Sequence, residues 1–289
     1  MPRTAHLLAL VAAFLSAGAT IFIRQGLRDN TPYTGFWINL VVGTIGLWVG
    51  VLAMGGVGRV SAAGLGLFAL AGLIGTVGGR LLRFVSIETV GASIAAALTN
   101  MNPLISSALA ILLLGEQVTL PIVVGTLVIV GGTVLLSAGG RRIGLRPGQL
   151  ALPLLSAMCF GVVAILRKLG LSHMSAITGS AVNVTTALIA FTAFLLASGR
   201  GDVMACRGRS LGYFVAAGIT ENAGVFLNVV ALGLGTVSIV APLYGSSPIF
   251  VLVLSFFFLK GLDSLSGRIV AGTLLIVAGV YLITALSSR

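Results

Sequence analysis

The sequence predicts an all-α integral membrane protein with ten transmembrane helices in two inverted five-helix repeats. The prediction rests on composition, on the length of the apolar segments and on an internal repeat. Of the 289 residues, 57% are hydrophobic and only 8% are charged, and the mean hydropathy is +1.15. A soluble domain carries roughly 25% charged residues, and a disordered chain lacks the apolar content seen here. A polytopic membrane protein is the class that remains.

Charges and turn residues divide the chain into ten apolar segments. They span 5–24, 34–54, 63–86, 90–114, 119–138, 149–168, 175–197, 210–232, 236–259 and 267–286. Each is close to the ~20 residues that a helix needs to cross a bilayer. Strands of a membrane β-barrel would be about half as long and would alternate apolar and polar residues. Helices are therefore predicted throughout.

The two halves of the chain match each other at an offset of 143 to 147 residues. The longest match pairs Gly125-Thr-Leu-Val-Ile-Val-Gly-Gly132 with Gly272-Thr-Leu-Leu-Ile-Val-Ala-Gly279. Further pairs occur in the same order along both halves: Gly18 and Arg24 with Gly161 and Arg167, Gly35 and Asn39 with Gly179 and Asn183, Gly72 and Gly78 with Gly218 and Gly224, and Ser93-Ile94 and Pro103 with Ser238-Ile239 and Pro248. These matches indicate a duplication, with domains at 1–145 and 146–289. The first segment also has features of a signal peptide, but its partner inside the chain favours a transmembrane helix.

The number of helices in each half has a mechanical consequence. Five is an odd number, so the second half enters the membrane from the opposite face. Inverted repeats of this kind can exchange conformations, which gives two access states around one central site. The arrangement favours a secondary transporter that works by alternating access. The alternative is that the duplication serves only to build a stable bundle.

The turn after the fourth segment carries the most recognisable motif, Leu114-Gly115-Glu116. With Ser93-Ile94 and Pro103 before it and the repeated glycines after it, the first half resembles the EamA-type domain of the drug/metabolite transporter superfamily. The second half departs from that pattern at Leu259-Lys260-Gly261. The resemblance covers nearly the whole chain as two tandem domains. It implies ten helices, a central cavity lined chiefly by the third, fourth, eighth and ninth, and export or exchange of small metabolites such as amino acids, sugars or nucleotide derivatives.

The formal net charge of +11 bears on partners and on orientation. The basic residues are spread between the apolar segments without a long run or stripe, so lipid headgroups are the predicted partner and nucleic acid is not. Twelve basic residues fall on the side opposite the termini, and five fall on the side of the termini, Arg3, Arg59, Arg167, Lys168 and Arg289. The positive-inside rule then places both termini outside. The charge bias persists when the candidate intramembrane residues Arg24, Arg80, Arg83 and Arg167 are left out of the count. The family resemblance, in contrast, implies that both termini are inside.

Glu221 is the acidic residue expected near the middle of a membrane segment, where an ionised carboxylate is expensive. The other acids lie at segment ends or in loops. Such a carboxyl group could carry a proton through a transport cycle or bind an ammonium group, and the alternative is a structural hydrogen bond. Asn222 and Asn228 lie on the same segment, and Asn228 shares a helical face with Glu221. Both asparagines could instead hold neighbouring helices together.

Arg80 and Arg83 lie three residues apart on the third segment and share a face. Arg83 is near enough to the segment end to snorkel to the headgroups. Arg80 lies deeper and could hold a carboxylate or a phosphate through two parallel hydrogen bonds. Because the third and eighth segments correspond in the duplication, we expect Arg80 and Glu221 to match the two ends of a zwitterion.

The fourth and ninth segments complete the candidate site. Under an offset of 145, Thr99 and Asn102 correspond to Tyr244 and Ser247, and Pro103 corresponds to Pro248. Each proline removes one helical hydrogen bond and frees a carbonyl group near mid-membrane. Free carbonyl groups are tolerated where they line a cavity. The alternative is a kink that serves packing alone.

Motifs for catalysis and for bound cofactors are absent from the sequence. It has no P-loop, no cluster of metal ligands and no histidine at membrane depth to activate a serine. We therefore predict a transporter and not an enzyme, without cofactor or metal, in the plasma membrane (the inner membrane of a bacterium). The expected partners are a small-molecule substrate, the lipid bilayer and protons, and the protein is a monomer or a homodimer. A lipid or lipid-linked flippase of the same fold and a polytopic enzyme acting on lipids are the alternatives.

Overall fold

The computed structural model describes residues 2–90, 95, 98–99, 101–137, 147–258 and 267–283. Ten helices occupy these residues: α1 Pro2–Gly26, α2 Pro32–Ala53, α3 Ala62–Thr89, α4 Asn102–Leu114, α5 Leu120–Ser137, α6 Pro147–Gly170, α7 Ala176–Ala197, α8 Arg209–Leu234, α9 in two parts (Val237–Tyr244 and Ser247–Phe258) and α10 Gly267–Tyr281. The extended pairing among these residues is a single bridge between Val60 and Met174. The predicted all-α class is confirmed.

Seven of these helices are long and apolar enough to cross a membrane: α1, α2, α3, α6, α7, α8 and the Val237–Leu254 part of α9. α4 and the Leu120–Leu135 part of α5 are apolar but shorter. Large apolar side chains face outward, and Leu112 and Leu120 are each more than 70% exposed. An extended apolar surface is expected where lipid is the solvent. The predicted segment 90–114 begins among residues that lie partly outside the described ones, and α4 begins at Asn102.

The two halves of the chain pack through matched contacts. α1 lies along α8 and α6 lies along α3, while α2 packs against α7. One aromatic ring fills the same position in each half, Phe214 against Gly35 and Phe68 against Gly179. A β-carbon would lie 2.5 Å from the ring at Gly35 and 2.4 Å from it at Gly179, so neither position has room for a larger residue. The paired glycines of the internal repeat therefore make equivalent helix contacts.

α5 and α10 cross where the two repeated glycine motifs meet. A β-carbon at Gly132 would lie 2.7 Å from the carbonyl oxygen of Gly272, and one at Gly279 would lie 2.6 Å from that of Gly125. The duplication exchanges these two contacts, because Gly125 matches Gly272 and Gly132 matches Gly279. Glycine lets the two backbones approach closely, as small residues do in other membrane helix pairs.

Charged side chains satisfy two helix ends on one face of the bundle. Glu116, after α4, accepts hydrogen bonds from the backbone N–H groups of Val237 at 2.9 Å and Ser238 at 3.0 Å, in the first turn of α9. Lys168, near the end of α6, donates to the carbonyl oxygen of Leu232 at 2.6 Å in the last turn of α8. An acid at a helix N-terminus and a base at a C-terminus both complement the helix dipole. The two side chains therefore fix α8 and α9 against α4 and α6.

Candidate functional site

A polar cavity lies inside the bundle between α1, α3, α4, α6, α8 and α9. Its volume is about 80 Å³. A cavity needs about 10–15 Å³ on this scale to hold one water molecule, so it has room for several waters or for the polar part of a small solute. Its charged and hydrogen-bonding lining residues are Ser16, Thr20, Thr76, Arg80, Arg83, Thr99, Asn102, Arg167, Glu221, Asn228, Tyr244 and Ser247.

Seven of the eight residues predicted to bind or couple a solute line this cavity: Arg80, Thr99, Asn102, Glu221, Asn228, Tyr244 and Ser247. Asn222 does not line it and points instead toward α2, where its amide nitrogen donates to the backbone oxygen of Asn39 at 3.1 Å. Pro103 lies in the first turn of α4, and Pro248 lies in the first turn of the second part of α9. In the first turn of a helix the backbone N–H group has no intrahelical partner, so a proline there removes no hydrogen bond from the helix.

Glu221 forms an ion pair with Arg83. The Arg83 Nη1 atom lies 2.8 Å from Glu221 Oε1, and Arg83 Nη2 donates to the hydroxyl oxygen of Thr20. The Glu221 side chain is 3% exposed and that of Arg83 is 12% exposed. The expectation that Arg83 snorkels to the headgroups is therefore wrong: its side chain turns inward, because a buried carboxylate offers a charge-assisted hydrogen bond there. The pair joins α3 to α8, and Thr20 adds α1.

Arg80 is buried and is held by amide groups. Its Nη1 atom donates to Asn39 Oδ1 at 2.8 Å and to Asn222 Oδ1 at 3.2 Å. These partners carry no charge, so they fix the guanidinium without neutralising it. Arg80 is the last residue of a π-helical stretch, Gly72–Arg80, within α3. Such stretches are frequent at functional sites because they change the direction of the side chains that follow.

The anchor of Arg80 has a counterpart in the other half. Thr76 donates to Asn183 Oδ1 at 2.7 Å, and Asn183 corresponds to Asn39 in the internal repeat. Thr76 and Asn222 lie 146 residues apart, close to the spacing of the other matched pairs. The duplication thus provides two equivalent polar contacts between helices, and one of them holds an arginine.

Arg167 is a cavity residue that the sequence did not single out as a site residue. It lines the cavity near the end of α6, and within the described residues its side chain has neither a hydrogen bond nor an ion pair. Its charge and that of Arg80 repel each other. The repeat carried a signal for this position, since Arg24 and Arg167 are matched, but spacing alone does not show which arginine faces a cavity.

Three buried oxygen atoms at the cavity have no hydrogen-bond partner among the described residues. They are Glu221 Oε2, Asn228 Oδ1 and Thr99 Oγ1. A buried acceptor without a donor is costly. These atoms therefore mark where a hydrogen-bond donor of a bound solute would be accepted. Also among the described residues, no group of histidine, cysteine and acidic side chains is arranged to hold a metal ion.

A helical membrane bundle with two matched halves around a charged cavity is typical of secondary transporters. Residues 3–138 and 147–285 each match the EamA-like transporter family, and the chain therefore belongs to that family. The resemblance seen in the sequence is confirmed over both halves. A protein of known crystal structure shares the fold, with a TM-score of 0.78 over 99% of this chain and 98% of the other, at 19% identity. Among curated proteins, none matches the chain.

Proposed function

We propose that the protein is a secondary transporter of small metabolites, amino acids in particular, that works by alternating access. The observation that carries the proposal is a buried cavity in which one carboxylate, Glu221, and the guanidinium groups of Arg80 and Arg167 face a common space. Acidic and basic groups in one cavity complement the ammonium and carboxylate groups of an amino acid. Four charged side chains in one cavity suit a small polar solute better than a lipid tail.

Each site residue has a role in this proposal. Glu221 accepts a hydrogen bond from the ammonium group through its free Oε2 atom, and Arg80 holds the carboxylate. Asn222 positions Arg80 without touching the solute. The remaining predicted residues shape the site, namely Thr99, Asn102, Asn228, Tyr244 and Ser247, while Pro103 and Pro248 start the helices beside it.

The proposed mechanism uses ten spans in two inverted repeats, 1–145 and 146–289. The contact between α1 and α8 corresponds to that between α6 and α3, so the two can exchange geometry. The Arg83–Glu221 pair lies toward the face where α3 ends, and Lys168 binds the end of α8 toward the other face. Loosening one of these contacts while the other holds would open the cavity to one side at a time.

Proton coupling is part of the proposal. Protonation of Glu221 would remove its ion pair with Arg83 and would weaken the link between α3 and α8. Proton uptake would therefore favour opening of the cavity on that face. We propose export or exchange across the plasma membrane as the direction of transport.

Counterflow in proteoliposomes with a mixed pool of labelled amino acids tests this function. Native protein should accumulate label, and Glu221→Gln should reduce uptake at least about tenfold, because hydrogen bonds to a charged group contribute about 1.5–3 kcal/mol. Glu88→Gln is the matched control, since Glu88 is exposed at the end of α3, and it should transport like the native protein. If Glu221→Gln took up label at the native rate, Glu221 would not be a residue of the transport site. No uptake by folded native protein would exclude amino acids as substrates.

A further inference from the structure

The charges that face the cavity do not balance. Among the described residues, three guanidinium groups line it, those of Arg80, Arg83 and Arg167, against one carboxylate, that of Glu221. Arg83 and Glu221 neutralise each other at 2.8 Å. Arg80 has only amide partners among the described residues, and Arg167 has none there. Two positive charges thus remain uncompensated inside the bundle, where an unpaired charge is costly.

The excess charge discriminates between classes of solute. A neutral zwitterion brings one positive and one negative charge, so it leaves the imbalance in place. A solute with two acid groups can give one to each free guanidinium, and the planar donor fork of arginine suits a carboxylate. Arg80 and Arg167 come from α3 and α6, which pack against each other, and both residues line the cavity.

The unpartnered acceptors add a second requirement. Glu221 Oε2 is buried and accepts no hydrogen bond from the described residues, and the same holds for Asn228 Oδ1. Both lie on α8, and a carboxylate or an amide oxygen can be satisfied only by a donor. A solute that carried acid groups alone would leave them unsatisfied. The solute therefore needs an ammonium or a hydroxyl group as well.

Building on the transport function proposed above, we propose that the substrate is a small organic acid with two anionic groups and at least one hydrogen-bond donor. An amino dicarboxylic acid such as glutamate or aspartate is the simplest solute of this class. Arg80 and Arg167 take the two carboxylates, and Glu221 takes the ammonium group. Arg167, which has no other partner in the described structure, distinguishes an acidic side chain from its amide.

Binding to the purified full-length protein in detergent tests the inference independently of transport. The probes are glutamate and glutamine, which differ by one charge at nearly equal size, at matched ionic strength. Glutamate should raise Tm by several degrees, as expected when a ligand well above its Kd binds the native state. Glutamine should require at least about tenfold more ligand for the same shift, because it forgoes one charged hydrogen bond.

Variants of Arg167 identify the discriminating group. Arg167→Gln should bring the glutamate response down to that of glutamine, and Arg167→Lys should keep a part of the difference. Arg59→Gln removes an exposed arginine between α2 and α3 and should keep the native preference. Because the Arg167 side chain makes no hydrogen bond to the described residues and its unpaired charge is costly, its replacement should keep or raise the unliganded Tm.

The outcomes separate this inference from the proposed function. A glutamate shift that is lost in Arg167→Gln supports the inference, even when counterflow shows no transport. A glutamine shift equal to or larger than that of glutamate overturns it, while amino-acid transport stands. If neither solute shifts Tm, the amino dicarboxylate class is overturned whatever the counterflow result. A glutamate preference unchanged in Arg167→Gln overturns the role of Arg167.

Discussion

Arg80 is held by neutral amide groups, and these partners leave its charge available to a bound anion. An acidic partner would cancel its charge, whereas Asn39 and Asn222 orient the guanidinium and leave the charge in place. An orienting contact of this kind reduces the entropy that a ligand must overcome on binding. The affinity of the site should therefore depend on residues that the solute does not touch.

Asn39 provides a test of this dependence. Asn39→Ala removes the shorter of the two hydrogen bonds to Arg80 Nη1, at 2.8 Å. We expect a destabilisation of about 1–3 kcal/mol from the broken buried network, together with a rise in the KM of transport of about tenfold. The measurements are the Tm of the purified protein and concentration-dependent uptake.

The duplication supplies the matched control for that variant. Asn183→Ala truncates the equivalent residue, which is also buried and accepts a hydrogen bond from Thr76 at 2.7 Å. It should lower Tm by a similar amount while KM stays native, because Asn183 holds no arginine. Equal changes in KM for the two variants would show that the asparagines act only through stability.

The direction of each side chain was the part of the site that the sequence left open. The free-energy cost of a charge in the middle of the membrane identified Glu221 and Arg80 as candidates from the sequence alone. The same reasoning could not show that Arg83 pairs with Glu221, because an arginine near a helix end can reach either the headgroups or the interior. Arg167 was missed for a related reason, since its position near the end of α6 made it one of several basic residues at segment ends.

At the scale of one helix, α3 shows how a local irregularity places two arginines. Within Gly72–Arg80 the helix is π-helical, with more residues per turn than an α-helix. Arg80 reaches Asn39 on α2, while Arg83, one turn later, reaches Glu221 on α8 and Thr20 on α1. Hydrophobic periodicity does not reveal such a stretch, since the apolar pattern continues through it.

At the crossing of α5 and α10, alanine substitutions at two neighbouring glycines should change Tm in opposite directions. Gly132→Ala places a β-carbon 2.7 Å from the carbonyl oxygen of Gly272, whereas a β-carbon at Gly131 meets no atom within 4 Å. Alanine also favours a helix interior over glycine by about 1 kcal/mol. Gly131→Ala should therefore keep or raise Tm, and Gly132→Ala should lower it.

Thermal unfolding of the two variants in the same detergent measures the difference. Two variants with equally raised Tm would show that α5 and α10 do not approach as closely as described. The sequence indicated a duplication through the repeated glycines at 125, 132, 272 and 279, but it did not predict that they meet. It could not indicate which glycine of the pair Gly131-Gly132 faces the partner helix.

Charge counts predict an orientation for the whole bundle. The loop between α7 and α8 lies on the face opposite the termini in the proposed topology, and it carries Arg200 and Arg207. The positive-inside rule assigns this face to the cytoplasm, while the family resemblance implies the reverse. Cys206 lies in the same loop and provides a chemical probe of its location.

Labelling of Cys206 with a membrane-impermeant maleimide decides between the two orientations. In Cys159→Ala, which leaves Cys206 as the remaining cysteine, label should enter only after the cells are permeabilised. Partial burial raises the pKa of the Cys206 thiol, and the thiolate is the reactive form. The rate should therefore rise about tenfold per pH unit below that pKa. Rapid labelling of intact cells would place the loop outside and the termini inside.

The overall architecture was the most predictable level. Composition required a membrane protein, and five groups of matched positions indicated two halves before any helix was placed. The structure agrees with both, and the family match covers both halves. The exact spans were less predictable, because α4 begins beside Pro103 and α9 is interrupted just before Pro248, and hydropathy averages over such changes.

The three guanidinium groups of the cavity also determine which ions cannot follow the solute. A positive potential along the cavity repels sodium and potassium ions, as an arginine repels cations in water-selective channels. If both ends opened briefly together, cations would still meet this barrier. A cell would then keep its ion gradients during transport, because the guanidinium groups that attract the substrate also prevent cations from leaking through the cavity.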